Sequence, residues 1–130
     1  MKRIWCSLVV SFTLAGCGDG GSTAPQPIAT GAWTGSMNGM SLAFTVNSAG
    51  NGITEIRYTF SGLSCGGTTL ASGSIILSQT PPWPITNRHF EIIDTSPPAI
   101  TVAGTFGADG VTVSGTWNWL TCSGNWSGSH

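Results

Sequence analysis

Apolar and polar positions alternate along most of this 130-residue chain, and a period of two is the period of a β-strand. In Ile100-Thr101-Val102-Ala103-Gly104-Thr105-Phe106, the residues Ile100, Val102 and Phe106 share one face while Thr101 and Thr105 take the other. Val111, Val113, Gly115, Trp117 and Trp119 repeat the arrangement opposite Thr112, Ser114, Thr116 and Asn118. Leu42, Phe44 and Val46 do so again, as do Ile56, Tyr58 and Phe60. One apolar face and one polar face mark antiparallel strands that cover a core on one side and meet water on the other. The pattern predicts eight strands, near residues 32–37, 40–47, 53–60, 68–79, 88–94, 99–106, 111–119 and 123–128. Beyond the N-terminal leader no stretch keeps a helical period. The expected fold is therefore all-β, a single small antiparallel sandwich or up-and-down barrel. Turn residues fall between the runs: Asn38-Gly39 predicts a two-residue type I′ hairpin, and Asn51-Gly52 and Asp109-Gly110 close longer loops.

A faint repeat runs through Gly31-Ala32-Trp33-Thr34-Gly35, Ser114-Gly115-Thr116-Trp117 and Ser123-Gly124-Asn125-Trp126-Ser127-Gly128. Each sets a Trp within two residues of a Gly on a terminal strand. This predicts that the first and last strands pair to close the sheet, with indole rings plugging one end of the core. A Gly-x-Trp near the first strand is similar to small ligand-binding barrels such as avidins and lipocalins, whose remaining motifs are missing from this chain.

The first seventeen residues follow a different logic. Met1-Lys2-Arg3 is positively charged, and Ile4 to Ala15 form an apolar stretch too short for a bilayer that needs roughly 20 helical residues. Leu14-Ala15-Gly16-Cys17 resembles the lipobox of bacterial lipoproteins. That resemblance implies cleavage before Cys17, diacylglycerol on its sulfur, attachment to the membrane through acyl chains, and, with Gly18 next, an outer-membrane location. Gly18 to Thr30 hold one large apolar residue, Ile28, and are expected to form a flexible tether. The organisation expected is a signal peptide over 1–16, a tether over 17–30 and one β domain over 31–130. That domain resembles Gly/Ser/Thr-rich bacterial lipoproteins, a likeness that supplies no activity.

Charged residues make up 7% of the chain, against about 25% in ordinary soluble domains. After the leader only Arg57 and Arg88 are basic, set against Asp19, Glu55, Glu91, Asp94 and Asp109, two against five, which leaves −3. No basic patch exists to release counterions, so nucleic acid is not an expected partner. Cys6 lies in the leader and Cys17 in the lipobox, leaving Cys65 and Cys122, an even remainder that reads as one disulfide in an exported domain. Closing that loop stabilises the fold by about 4 kcal/mol on the chain-entropy model. Neither cysteine has partners at ligand spacing, and no metal or other cofactor is expected.

Chemistry is sparse. His89 and Glu91 share a strand face and are the nearest thing to an acid/base pair, but beside Arg88 they read more simply as the charged surface of an edge strand. Glu91 and Asp94, three apart, project to opposite faces and cannot act as a glycosidase pair. No serine is read as a nucleophile elbow, and no catalytic residue is assigned. Pro81-Pro82-Trp83-Pro84 predicts a stiff extended loop that either presents Trp83 to a sugar ring or a partner's groove, or caps the open end of the core. The expectation is a lipid-anchored, non-enzymatic envelope domain, structural or binding, with a glycan or envelope protein as partner. Its candidate contacts are Trp83, or a barrel mouth lined by Trp117 and Trp119.

Overall fold

The alternation becomes ten strands joined by tight turns. The structure, a computed structural model, describes residues 23–96 and 99–130, and contains no helix among them. The strands are β1 (Gly31–Met37), β2 (Met40–Val46), β3 (Gly52–Phe60), β4 (Leu63–Cys65), β5 (Thr68–Leu70), β6 (Gly73–Pro84), β7 (His89–Asp94), β8 (Ile100–Phe106), β9 (Thr112–Trp119) and β10 (Cys122–Ser129). Eight of them form one antiparallel sheet in the order β6-β3-β2-β1-β10-β9-β8-β7, and β4 and β5 pair only with each other. The sheet curls until its edges, β6 and β7, approach, giving a nearly closed up-and-down barrel. As expected from the Gly/Trp repeat, β1 and β10 join the two halves, with Thr34 opposite Ser129 and Met37 opposite Trp126.

Side chains alternate across the pleat. Along β2, Met40, Leu42, Phe44 and Val46 point inward and are buried. Among the described residues no polar or charged residue is in the buried set. Outside, one register row reads Thr59, Ser41, Ser36, Ser127, Ser114, Thr105 and His89 across seven strands. Neutral hydroxyls therefore meet the solvent where most proteins present charge.

Large rings fill the barrel at the end where residues 26–30 lie, hereafter the proximal end. Trp33 packs against Phe44 with centroids 5.7 Å apart and edge-on against Phe106 at 5.0 Å, while Phe90 and Trp126 complete the cluster. Gly104 supplies the space: a Cβ there would lie 2.6 Å from the Phe90 ring and 2.8 Å from that of Trp126.

Several connections differ from expectation. Asn38-Gly39 does link β1 to β2 as a two-residue turn, but only Gly39 has positive φ (+77°), the type II pattern rather than type I′. The dihedral pattern of type I′ occurs instead between β6 and β7, where Asn87 and Arg88 have φ of +50° and +66° and Thr86 and His89 exchange backbone hydrogen bonds. An Arg disfavours that region, and its guanidinium compensates by donating to the carbonyls of Gln26 (2.8 Å), Phe106 (3.1 Å) and Gly107. The Gln26 contact fastens the N-terminal segment, helped by Gln26 N–H to Ala108 O and Ala29 N–H to Gly110 O, each 2.8 Å. Trp33 Nε1–H donates to Ala29 O at 3.0 Å. The stretch expected as tether through Thr30 is thus part of the folded unit from Gln26 onward, and residues 17–22 lie outside the described residues.

The strand expected over 68–79 is two strands, β5 and the longer β6, and the prolines do not form a loop. Pro81 to Pro84 continue β6 beyond a bulge, with Trp83 opposite Ile53 and Pro84 opposite Gly52. An edge strand tolerates missing amide donors where a central strand does not.

Candidate functional site

The distal end of the barrel carries the unusual chemistry. Here the β4–β5 hairpin folds over the opening, and the Cys65–Cys122 disulfide ties its tip to the start of β10 across a Cα–Cα distance of 5.6 Å. The pairing expected from cysteine counting is present. The hairpin owes its tight turn to Gly66 and Gly67, with φ of +55° and +81°, and its base is tied by the Ser61 and Ser72 hydroxyls, 3.4 Å apart. Beneath it lies a cavity of about 20 Å³ lined by Met40, Tyr58, Phe60, Leu63, Leu70, Ile75, Ile100 and Trp119. Leu63 and Leu70 come from the hairpin. The rest come from the barrel.

Tyr58 and Trp119 are each 1% exposed, yet among the described residues the Tyr58 hydroxyl and the Trp119 Nε1–H have no hydrogen-bond partner, and neither has that of Trp117. Buried polar groups are otherwise paired: Trp33 donates to Ala29 O and Trp126 to Ala103 O. An unpaired buried donor costs about 1–3 kcal/mol, so three at one end of a small domain call for a physical reason. Burial, with the nearby Asp94 carboxylate second, pushes the Tyr58 phenol well above its ordinary value of 10.0. The hydroxyl is therefore neutral and able to donate at any physiological pH. Asp94 shares the inward-facing parity of Phe90 and Ile92 on β7 and is half-buried.

The expected contacts fall as follows. Trp117 and Trp119 are core residues at the distal end, and only Trp119 lines the cavity. Trp83 is half-buried on β6, packed against the core rather than displayed on a loop. His89 and Glu91 do share the outer face, where His89 Nδ1 lies 3.1 Å from Thr105 Oγ1. Glu91 faces out and Asp94 in, so the two carboxylates diverge. Among the described residues no group of three His, Cys, Asp or Glu is placed to hold a metal. Cys17 lies outside the described residues.

Sequence reasoning passed over three features. Gly62-Leu63-Ser64-Cys65-Gly66 spells the Gly-x-Ser-x-Gly pattern, but that motif needs a sharp turn from strand into helix. Here Ser64 sits inside a two-stranded hairpin with its hydroxyl 2.8 Å from that of Thr69. Tyr58 was read only as one more apolar position, and nothing in its spacing distinguishes it from Phe60. Leu120, at the turn between β9 and β10, holds a positive φ of +53° that a branched side chain adopts at a cost. With Thr121 it forms the two-residue turn that sets Cys122 opposite Trp119.

No protein-family model, curated protein or solved structure matches this chain.

Proposed function

We propose that this protein is a lipid-anchored component of the bacterial cell envelope and that its barrel is a non-enzymatic binding module with its ligand site under the β4–β5 hairpin. The observation that carries the reading is the set of unpaired buried donors on Tyr58, Trp117 and Trp119 in an otherwise apolar interior. At Tyr58 a purely structural core gains nothing from the hydroxyl, because Phe would fill the same space without the desolvation penalty. A binding site does gain, since the missing acceptor arrives with the ligand. The absence of catalysis is supported by the dispersal of His89, Glu91 and Asp94 over two faces of β7, and anchoring by the Leu14-Ala15-Gly16-Cys17 run.

The anchor also suggests an orientation. The N-terminal segment is fastened at the proximal end by Arg88, Ala108 and Gly110, so a lipid on Cys17 would leave the distal end facing away from the membrane. The residues between Cys17 and Gln26 span roughly 30 Å when extended.

Two measurements test the reading. Labelled palmitate fed to cells is expected on the wild type and not on Cys17→Ala, and label retained by the variant would overturn the anchor. A panel of small apolar compounds and glycan fragments, followed through the indole N–H resonances of the full chain, is expected to move Trp119. Ligands that shift only Trp83, and lose binding in Trp83→Ala, would move the site to β6.

A further inference from the structure

The two edges of the sheet are finished differently. β7 carries His89, Glu91 and Asp94, and charge on an edge discourages pairing with other strands. Along β6, Pro81, Pro82 and Pro84 lack the amide donors that a further strand would need. Neither device reaches Ser74-Ile75-Ile76-Leu77-Ser78. That run is uncharged and has an amide donor at every residue, and among the described residues β6 pairs only with β3.

Exposure marks the same stretch. Ile75 and Leu77 face inward yet are only half-buried, whereas their ladder partners Tyr58 and Ile56 are fully buried. The sheet ends one strand too early to cover them. On the outer face Ile76 is 49% exposed. Ile93 of β7 is exposed as well, but Glu91 and Asp94 flank it. An uncharged apolar edge that keeps its donors is a template for another strand.

The order of side chains specifies which strand. Ser-Ile-Ile-Leu-Ser reads nearly the same in both directions, so an antiparallel copy centred on Ile76 sets Ser74 opposite Ser78, Ile75 opposite Leu77 and Ile76 opposite Ile76. A two-fold axis through that centre, normal to the sheet, keeps inward side chains beside inward ones and outward beside outward. Apolar pairs directly opposite each other stabilise a ladder. Charge does not oppose the arrangement. Arg57 lies opposite Ile76, so Arg57 and its copy would stand three strand spacings apart, about 14 Å, beyond the Debye length of about 8 Å at physiological salt. An unrelated extended peptide would gain the backbone hydrogen bonds without the matched pairs.

We infer that residues 74–78 of β6 are a self-association edge, to which a second copy of this chain adds its own β6 antiparallel, giving a two-fold dimer with one sheet continuous across both barrels. Five paired residues are a small contact beside the roughly 1,200 Å² of a stable interface, so the dimer forms and separates readily.

The test uses the full-length protein in detergent at millimolar concentration, as an equal mixture of 13C-labelled and unlabelled chains. Isotope-filtered nuclear Overhauser contacts between copies are expected from Ile75 to Leu77 and from Ile76 to Ile76. Ile76→Lys and Ile76→Glu each set like charges directly opposite, with Cβ atoms about 4.5–5.5 Å apart, and are each expected to weaken self-association about tenfold. The outward position of residue 76 leaves the barrel folded, which far-ultraviolet circular dichroism checks. Mixing the two variants is expected to restore pairing between unlike chains to at least the wild-type strength. Absence of contacts between wild-type copies overturns the inference, as do contacts confined to β7 or to the β4–β5 hairpin. So does wild-type self-association by Ile76→Lys, or a mixture of the two folded variants that stays monomeric.

Discussion

Replacing Tyr58 with Phe is expected to make the unliganded protein more stable. The substitution keeps the ring that packs among Leu42, Ile75 and Ile56 in the β2-β3-β6 registers and removes only a hydroxyl that has no partner. An unsatisfied buried hydroxyl costs about 1–3 kcal/mol. Losing the oxygen also leaves a small void beside a cavity already about 20 Å³ in volume, which takes back a few tenths of a kcal/mol. The net gain is about 1 kcal/mol, equivalent to about 4–8 °C in Tm for a domain of this size. Urea unfolding followed by far-ultraviolet circular dichroism, with the disulfide intact and at pH 7, measures it directly. The effect also depends on pH in a defined direction. The folded state holds the Tyr58 pKa above its ordinary 10.0, so the wild type keeps full stability below pH 10 and loses it as the pH rises further, when only the unfolded phenol ionises. Tyr58→Phe lacks this slope. If the variant is instead destabilised by 1 kcal/mol or more at pH 7, the hydroxyl has a partner and the argument for a waiting donor fails.

Three further outcomes follow from the same packing. Gly104→Ala places a methyl 2.6–2.8 Å from the Phe90 and Trp126 rings and is expected to cost about 1–3 kcal/mol in the same denaturation assay; a neutral result would mean that the proximal cluster is loosely packed. Reduction of Cys65–Cys122, which are 57 positions apart, is expected to cost about 4 kcal/mol and to raise amide exchange first in residues 63–70. Arg88→Ala removes all three carbonyl contacts to Gln26, Phe106 and Gly107, so limited proteolysis is expected to release the segment before β1 while the barrel persists; protection of that segment in the variant would show that its backbone hydrogen bonds alone hold it.

What was legible in the chain was whatever repeats with period two. β2, β8 and β9 stand within a residue or two of their expected bounds because their inward positions are uninterrupted. β4 and β5 were not legible, since three residues carry no period. The extension of β6 through Pro81, Pro82 and Pro84 was hidden because proline reads as a breaker unless the strand is known to be an edge. The Asn87-Arg88 turn was hidden for a related reason: an Arg with positive φ is tolerable only once three carbonyls from distant segments surround it. The site suffered most. Tyr58 and Trp119 occupy core positions by every sequence criterion, and an unpaired donor becomes visible only when the positions of all acceptors are known.

The seam between β1 and β10 has a consequence for how the chain comes to be folded at all. Thr34 and Ser129, which face each other there, are 95 positions apart, so the first strand is made, and travels, long before its second neighbour exists. A contact so distant in sequence is slow to form, because its loop entropy must be met before any ladder hydrogen bond is gained. Until then one flank of β1 stays unsatisfied and capable of pairing with any strand nearby. Cys122 is the first residue of the strand that seals the barrel, which couples oxidation at the β4–β5 hairpin to arrival of the last strand. A chain cut short before Cys122 is therefore left with an open edge on β1 and a hairpin with no cysteine to tie it down, which makes such incomplete copies easy for proteases to recognise.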